Sequence, residues 1–234
     1  MYVALLTHTP EPEIVVAAAA RLCYSAASID VLLEKSHSDR QVFLEKIVSL
    51  GHLSVLEHVS FTFGVEGISR ACSHQLVRHR LASYSQQSQR YVSHEKHFEA
   101  VTPATIAAHE SLAQRYQQML AEIHSFYGEL MQAGIPAEDA RFILPNAAAT
   151  KIVVTMNGRE LLHFFTLRCC RRAQWEIQAL AKQMLHLVRP LAPILFAAAG
   201  PGCLRAACPE GKMTCGHSRE VREEFRHACQ DDAS

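Results

Sequence analysis

A change of hydrophobic period near residue 67 is the sequence feature that most constrains how this chain folds. Apolar residues alternate with small or polar ones over residues 59–66, which is the pattern of a half-buried strand. Residues 68–78 then follow helical spacing. No internal repeat and no linker divides the chain, so the mixture of both periods predicts one α/β domain.

Other segments repeat this mixture. Strands are predicted at residues 2–6 and 151–156, and helices at 11–24, 39–50, 136–142, 159–168 and 173–188. The clearest helix is predicted at 103–134, where a stripe of apolar residues indicates core or a subunit interface. The stripe consists of Tyr116, Met119, Leu120, Ile123, Phe126, Tyr127 and Leu130. We expect an α+β fold with a central mixed or antiparallel sheet packed by long helices, and a flexible C-terminal tail.

Composition excludes several classes of protein. Lys+Arg and Asp+Glu are both 23, and this balance argues against a general nucleic-acid binder. The first residues lack the basic start of a targeting segment, and the longest apolar stretch, 191–204, is too short to span a bilayer. Eight cysteines without a regular ladder of spacings predict free thiols in a cytoplasmic protein.

A basic, hydroxyl-rich segment at residues 78–91 offers the equipment for binding phosphate. The ten glycines of the chain form no glycine-rich phosphate loop, so side chains would have to hold any phosphate. Three arginines and three serines lie within this segment, and the arginine fork pairs well with phosphate oxygens. Composition alone leaves a second interpretation open, in which the basic run is a solvated helix end.

The order of residues in this segment carries a specific resemblance. Arg78-His79-Arg80, seven residues, Ser88 and then Arg90-Tyr91 resemble the signature of flavin-dependent thymidylate synthases. Residues 51–63 and the short motifs between 144 and 177 are also similar to that family, so the likeness runs in order from about residue 50 to 180.

The resemblance implies an activity. Members methylate dUMP at C5 to give dTMP for thymidylate biosynthesis, with methylenetetrahydrofolate as carbon donor and FAD, reduced by NADPH, as hydride source. It further implies a homotetramer with shared active sites, a catalytic domain over residues 1–200, and a Cys-containing tail over 201–234. Neither nucleic acid nor a membrane is an expected partner.

The resemblance also assigns residues to the cofactor. The implied FAD-binding residues are Ser54, Glu57, Arg78, His79, Arg80, Gln86, Asn157, Arg159 and His163. His52 matches a position near the flavin less firmly. Two alternatives remain: His79 as a buried histidine with its hydrogen bonds satisfied, and Asn157 as the cap of the following helix. Gln86 stands where relatives often carry Glu, so a charge is lost there.

A second set is implied for the substrate. It consists of Gln75, Arg78, Gln86, Gln87, Ser88, Gln89, Arg90, Arg141 and Arg168. Arg168 is the expected catalytic residue, because a fixed guanidinium near N3 of uracil would favour the N3 anion and increase electron density at C5. Ser88 lacks a base and an orienting group in sequence, so we expect no nucleophile there. Trp175 is predicted in the core, and Arg171 and Arg172 in structural roles.

Two further hypotheses compete with this one. A non-enzymatic RNA-binding module could use the Arg-Ser-Tyr segment, and a different flavoprotein oxidoreductase could share the scaffold. The C-terminal Cys203, Cys208, Cys215 and His217 have soft-ligand chemistry, but the paired C-x-x-C spacing of zinc sites is missing, and no metal is predicted.

Overall fold

Four strands form one antiparallel sheet. In a computed structural model, residues 1–93 and 99–231 are described, with side chains described as far as residue 225 at the C-terminal end. The strands are β1 (Tyr2–His8), β2 (Ser60–Ser69), β3 (Ala82–Gln86) and β4 (Ala149–Asn157), hydrogen-bonded in the order β1-β2-β4-β3. The predicted α+β class with an antiparallel sheet is confirmed.

Helices make up most of the remaining regular structure. They are α1 (Pro12–Leu22), α2 (Ile29–Ser38), α3 (Gln41–Ser49), α4 (Arg70–Leu76), α5 (Ala104–Ala107), α6 (Glu110–Gln132), α7 (Ala137–Ala140), α8 (Gly158–Arg168), α9 (Trp175–Val188) and α10 (Ser218–Asp231). Short 3-10 helices occur at Leu53–His58, Arg141–Ile143, Gly202–Leu204 and Gly211–Met213. The sequence did not predict α2, because its apolar residues form no clear stripe and only Leu32 and Ser36 are buried.

Two predictions need correction, one of a helix and one of a buried residue. The helix predicted at 103–134 is α5 followed by α6, because His109 has an extended backbone that interrupts helical geometry. Trp175, predicted in the core, is 47% exposed at the first position of α9. The buried residues of that helix begin with Glu176 and Ile177, so the apolar face starts one position later.

The described residues fall into two compact units built from non-contiguous segments. The first unit comprises residues 1–2, 65–78 and 84–153, and the second comprises 3–64, 79–83 and 154–234. In the second unit, Phe61, Phe165 and Phe196 are fully buried, and the ring of Phe196 meets the other two edge-on at 5.6 and 6.1 Å between centroids. Burying each such side chain stabilises the fold by about 1.5–3 kcal/mol.

Two helices begin directly where strands end, and side-chain caps fix these junctions. At the end of β2, Ser69 Oγ accepts a hydrogen bond from the Cys72 amide at 3.0 Å and starts α4. At the end of β4, Asn157 Oδ1 accepts from the Glu160 amide at 2.8 Å and starts α8. Such caps satisfy amides that have no partner inside the helix. The capping role considered for Asn157 is therefore confirmed.

The C-terminal segment is more regular than the predicted flexible tail. Helix α10 buries Val221 and Phe225, and Glu224 forms ion pairs with Lys182 and Arg171. Residues 226–234 continue past the described side chains, and 232–234 lie outside the described residues altogether. The sequence looked mobile because its charges dominate, but two apolar residues four positions apart suffice to bury one helix face.

Membrane-spanning helices, metal-binding clusters and disulfides are absent from the described residues. No helix there is long and apolar enough to cross a membrane. No group of three or more His, Cys, Asp or Glu side chains in the same part of the chain could hold a metal ion. The cysteines with described side chains, Cys203, Cys208 and Cys215 among them, are free thiols.

Candidate active site

A polar groove of about 550 Å³ lies in the first unit, beside α4. Its lining residues are Arg70, Ala71, Ser73, His74, Gln75, Val77, Gln86 and Asn146. Two of them, Gln75 and Gln86, belong to the set that the sequence assigned to the substrate. The groove therefore offers one guanidinium, several amides and a hydroxyl, a donor set suited to a polar, anionic ligand.

The side chain of Gln86 is fixed at the end of β3. Its Nε2 donates to Ser73 Oγ at 2.9 Å and to Thr150 Oγ1 at 3.2 Å, and both acceptors are buried residues. A Glu at this position could not donate either bond, because an ionised carboxylate only accepts. The two donated bonds therefore hold the Gln86 amide in place.

Three arginines of the first unit interact either through their charges or through Glu138. Burial and then the charge of Arg141 lower the pKa of the Arg70 guanidinium, so these two cations lie within electrostatic reach of each other. Arg141 Nε donates to the Glu138 carbonyl at 3.0 Å, and Arg90 Nε pairs with the Glu138 carboxylate at 2.8 Å. The predicted substrate arginines Arg90 and Arg141 are thereby brought together.

The rest of the predicted substrate loop has mixed exposure. Ser88 Oγ accepts from the Arg90 amide at 3.2 Å, and the Gln87 carbonyl accepts from Arg70 at 3.5 Å. Gln89 is half-buried, and Arg78 is exposed with a terminal nitrogen 3.3 Å from His74 Nε2. Arg78 falls in the first unit, whereas His79 and the exposed Arg80 fall in the second.

In the second unit, the 3-10 helix Leu53–His58 packs against the first turn of α8. The ideal Cβ position of Gly158 is 3.0 Å from the Leu56 carbonyl oxygen, so a side chain there would require the 3-10 helix to move slightly. Arg159 and Glu57, both about half exposed, form an ion pair at 2.5 Å. This packing brings Ser54 and Glu57 to the helix that carries Arg159 and His163, four of the predicted flavin residues.

Two hydrogen bonds connect Glu160, His79 and Arg168 in a series across one face of α8. His79 Nδ1 lies 3.1 Å from Glu160 Oε1, and Arg168 Nε donates to His79 Nε2 at 3.0 Å. His79 is only 4% exposed, and its ring meets Phe164 edge-on at 4.9 Å. The considered alternative of a buried, hydrogen-bonded histidine describes its position.

The protonation states of His79 and Glu160 follow from their surroundings. Burial, followed by the charges of Arg168 and His163, lowers the pKa of His79 to about 4. Burial raises the pKa of Glu160, while His163 opposes that shift. His79 is therefore neutral near pH 7.

The sequence missed several residues of these clusters. Arg70, Ser73 and Asn146 line the groove, and Glu160 ends the series that includes His79. Glu160 had one available signal, since an acidic residue three positions after an Asn cap is common in a first helical turn. Arg70 had none, because its neighbours come from β4 and residues 141–146, far along the chain.

Comparison with known proteins shows the family of this chain. Residues 4–194 match the family described as "Thymidylate synthase complementing protein". A flavin-dependent thymidylate synthase of Geobacter sulfurreducens is 61% identical over 228 residues, covering 97% of this chain and 98% of the relative. Relatives of the same name from Nitratidesulfovibrio vulgaris and Pyrococcus furiosus are 50% and 45% identical, covering 92% and 97% of this chain and 94% and 98% of theirs.

These matches define an enzyme with an α+β fold. The chain belongs to the flavin-dependent thymidylate synthase family.

Proposed function

We propose that this enzyme converts dUMP to dTMP, with methylenetetrahydrofolate as carbon donor and FAD, reduced by NADPH, as the source of reducing equivalents. The observation that carries the proposal is the groove beside α4 together with the arginines linked to it. The charge of Arg141 lowers the pKa of Arg70, and a phosphate bound beside both would offset their repulsion. The amides of Gln75, Gln86 and Asn146 line the same groove and could read the edge of a base.

The substrate set follows from this placement. We assign the dUMP phosphate to Ser88, Arg90 and Arg141, with Arg70 as an added member. Gln75, Arg78, Gln86, Gln87 and Gln89 complete the proposed substrate residues. Gln86 is rigidly held by its two hydrogen bonds, which suits a group that must present a fixed edge to a nucleotide.

The second unit has a donor set that fits a flavin nucleotide. Ser54, Asn157, Arg159 and His163 supply a hydroxyl, an amide, an exposed guanidinium and an imidazole around the N-terminus of α8, with Glu57 paired to Arg159. A helix N-terminus favours an anionic group such as a diphosphate. Arg78, His79, Arg80 and Gln86 complete the proposed cofactor residues. When bound, the flavin would supply the hydride for the reduction.

Arg168 is the proposed activating residue. Uracil C5 is a poor nucleophile while N3 keeps its proton. A guanidinium beside N3 and the neighbouring carbonyl oxygen stabilises the N3 anion and so increases electron density at C5. Arg168 is half-buried, and its Nε is held by His79, so its charge acts from a fixed position.

Assembly and setting are part of the same proposal. We propose a cytoplasmic homotetramer in which residues 1–200 form the catalytic part. Its support in this chain is the outer face of α6, where the large apolar residues Leu112, Met119 and Phe126 are exposed.

Single-turnover kinetics of Arg168→Ala test the proposal. We expect methyl transfer at saturating dUMP to fall on the order of a hundred- to a thousand-fold, the usual effect of removing one preorganised donor. Flavin reduction by NADPH should stay near the parent rate, because that half-reaction does not need the uracil anion. Arg168→Lys should recover little, since it keeps the charge but loses the fork.

Arg172→Ala is the matched control, because Arg172 is an exposed arginine four residues further on. It should leave both half-reactions unchanged. Formation of dTMP at the parent rate by Arg168→Ala, or an equal fall in both half-reactions, would show that Arg168 is not the activating residue.

A further inference from the structure

The hydrogen bonds around His79 define its tautomer. The Arg168 side chain has donors only, so His79 Nε2 must accept the bond from Arg168 Nε. A ring with an accepting nitrogen is neutral and carries its proton on the other nitrogen. Nδ1–H therefore donates to Glu160 Oε1, and the carboxylate fixes which nitrogen holds the proton.

Helix geometry holds the three groups in line. Glu160, Phe164 and Arg168 are spaced four residues apart and share one face of α8. His79 packs on that face, with its ring edge-on to Phe164 and 5.7 Å from the ring of His163. A ring that is 4% exposed and bonded through both nitrogens has one orientation. It can therefore transmit that orientation to the guanidinium.

We propose that His79 and Glu160 are positioning residues for Arg168: Glu160 sets the Nδ1–H tautomer of His79, and the accepting Nε2 fixes the plane of the guanidinium through its Nε. This inference rests on the proposed role of Arg168. It adds a role for His79 to the flavin contact that the family resemblance implies. The bond uses Nε of Arg168, whereas the proposed contact with uracil uses the terminal amino groups.

Two substitutions of His79 separate the two hydrogen bonds. In His79→Asn, the amide nitrogen lies near the former Nδ1 and can still donate to Glu160, but no acceptor reaches Arg168. In His79→Gln, the longer side chain can place its oxygen near the former Nε2 and keep the acceptor. We expect kcat for methyl transfer to fall on the order of tenfold to a hundredfold in His79→Asn, because displaced catalytic groups cost about that much. His79→Gln should lose less.

Glu160→Gln tests the tautomer itself. The Gln amide can turn either its oxygen or its NH₂ toward Nδ1, so it no longer fixes which ring nitrogen carries the proton. We expect kcat to fall, but by less than in His79→Asn. In flavin-free protein, the ring ¹⁵N shifts of His79 should move from the Nδ1–H pattern towards an average of the two tautomers, and unchanged shifts would show that Glu160 does not set the tautomer. This second measurement does not depend on enzyme activity.

A double substitution distinguishes positioning from general damage to the fold. If His79 acts through Arg168, the variant His79→Asn/Arg168→Ala should turn over no more slowly than Arg168→Ala alone, because interacting residues give non-additive effects. The control His37→Asn removes an exposed imidazole on α2 and should leave kcat unchanged.

The failures of the two proposals are distinguishable. Unchanged methyl transfer in Arg168→Ala would remove the proposed function of Arg168. If Arg168→Ala loses methyl transfer but His79→Asn keeps the parent kcat, the positioning role alone is overturned. Loss of bound flavin in His79→Asn, with turnover per bound flavin at the parent value, would also overturn it and assign His79 to the cofactor. Multiplied losses in the double variant would do the same for the coupling to Arg168.

Discussion

Arginine serves in three electrostatic settings in this chain. Arg159 forms an exposed ion pair with Glu57, which contributes little to stability in water. Arg70 lies near the like charge of Arg141, a setting that becomes favourable when an anion binds. Arg168 donates through Nε to a neutral ring, so this contact does not offset its charge. The same residue type thus meets an acidic, a basic and a neutral neighbour at these three positions.

His79 gives a prediction at this scale. Its ring should remain in the neutral Nδ1–H form from about pH 8 to about pH 5.5, because burial, followed by Arg168 and His163, lowers its pKa to about 4. The measurement is ¹⁵N NMR of the ring nitrogens across a pH series. A ring that titrates near the ordinary value of about 6.5 would contradict the structure.

The same shift has a defined sign for stability. Unfolded chains bind a proton at this histidine with a pKa of about 6.5, and the folded chain does so only at about 4. The unfolded state thus holds more protons in this window, and the His79 contribution lowers stability as pH falls from about 6.5 to about 4. Glu160 acts oppositely, because its raised pKa lets the folded state keep a proton that the unfolded state has released.

Elements of this protein are joined by close backbone contacts as well as by side-chain packing. Gly158 allows the start of α8 to approach the 3-10 helix Leu53–His58. Gly200 has φ of +139°, a backbone conformation open to glycine, and its ideal Cβ position is 2.6 Å from Leu204 and 2.8 Å from the Phe225 ring of α10. The packing of α10 against this segment therefore depends on a residue without a side chain.

Gly200→Ala should weaken the packing of α10. Strained backbone and the clash with Phe225 together should lower the free energy of unfolding by about 1–3 kcal/mol. Denaturant titration followed by circular dichroism measures the change. Gly128→Ala is the matched control, since Gly128 lies within α6 with nothing within 4 Å of its ideal Cβ position. It should be neutral or stabilise the protein by up to about 1 kcal/mol.

At the scale of the whole molecule, one long helix is left with an uncovered apolar face. Tyr127 is the only fully buried side chain among the described residues of α6. Leu112, Met119 and Phe126, seven residues apart, are 57%, 53% and 48% exposed. Of the stripe predicted as core or subunit interface, Tyr127 is buried, whereas Met119 and Phe126 are exposed beside Leu112. An exposed apolar face of this kind is typical of an interaction surface.

Charges placed on this face should dissociate the proposed tetramer. Met119→Glu/Phe126→Glu would bury uncompensated carboxylates in an apolar contact, so light scattering should report a smaller particle than for the parent. Ser125→Glu adds one carboxylate at an exposed position of α6 outside the row of Leu112, Met119 and Phe126, and should leave the mass unchanged. A parent protein that is fully active as a monomer would contradict both the interface and the shared-site proposal.

Local patterns in the sequence determined the fold class, most strands and helices, and the identity of many candidate residues. The strand at residues 59–66 and the helices at 159–168 and 173–188 follow from hydrophobic period and capping, which depend on neighbours in sequence. The motif around Arg78-His79-Arg80 identified the family for the same reason. These features are encoded within short windows of the chain.

Tertiary structure decided which of those residues meet. His79 joins Glu160 and Arg168, more than eighty positions away, and Arg70 comes within electrostatic reach of Arg141. Burial, charge proximity and hydrogen-bond partners depend on distances in space, and these set the neutral state of His79. The two arginines beside His79 in the sequence favoured an exposed ring over a buried one. The fold nevertheless buries the ring, because α8 supplies an acceptor for Nδ1 and a donor for Nε2.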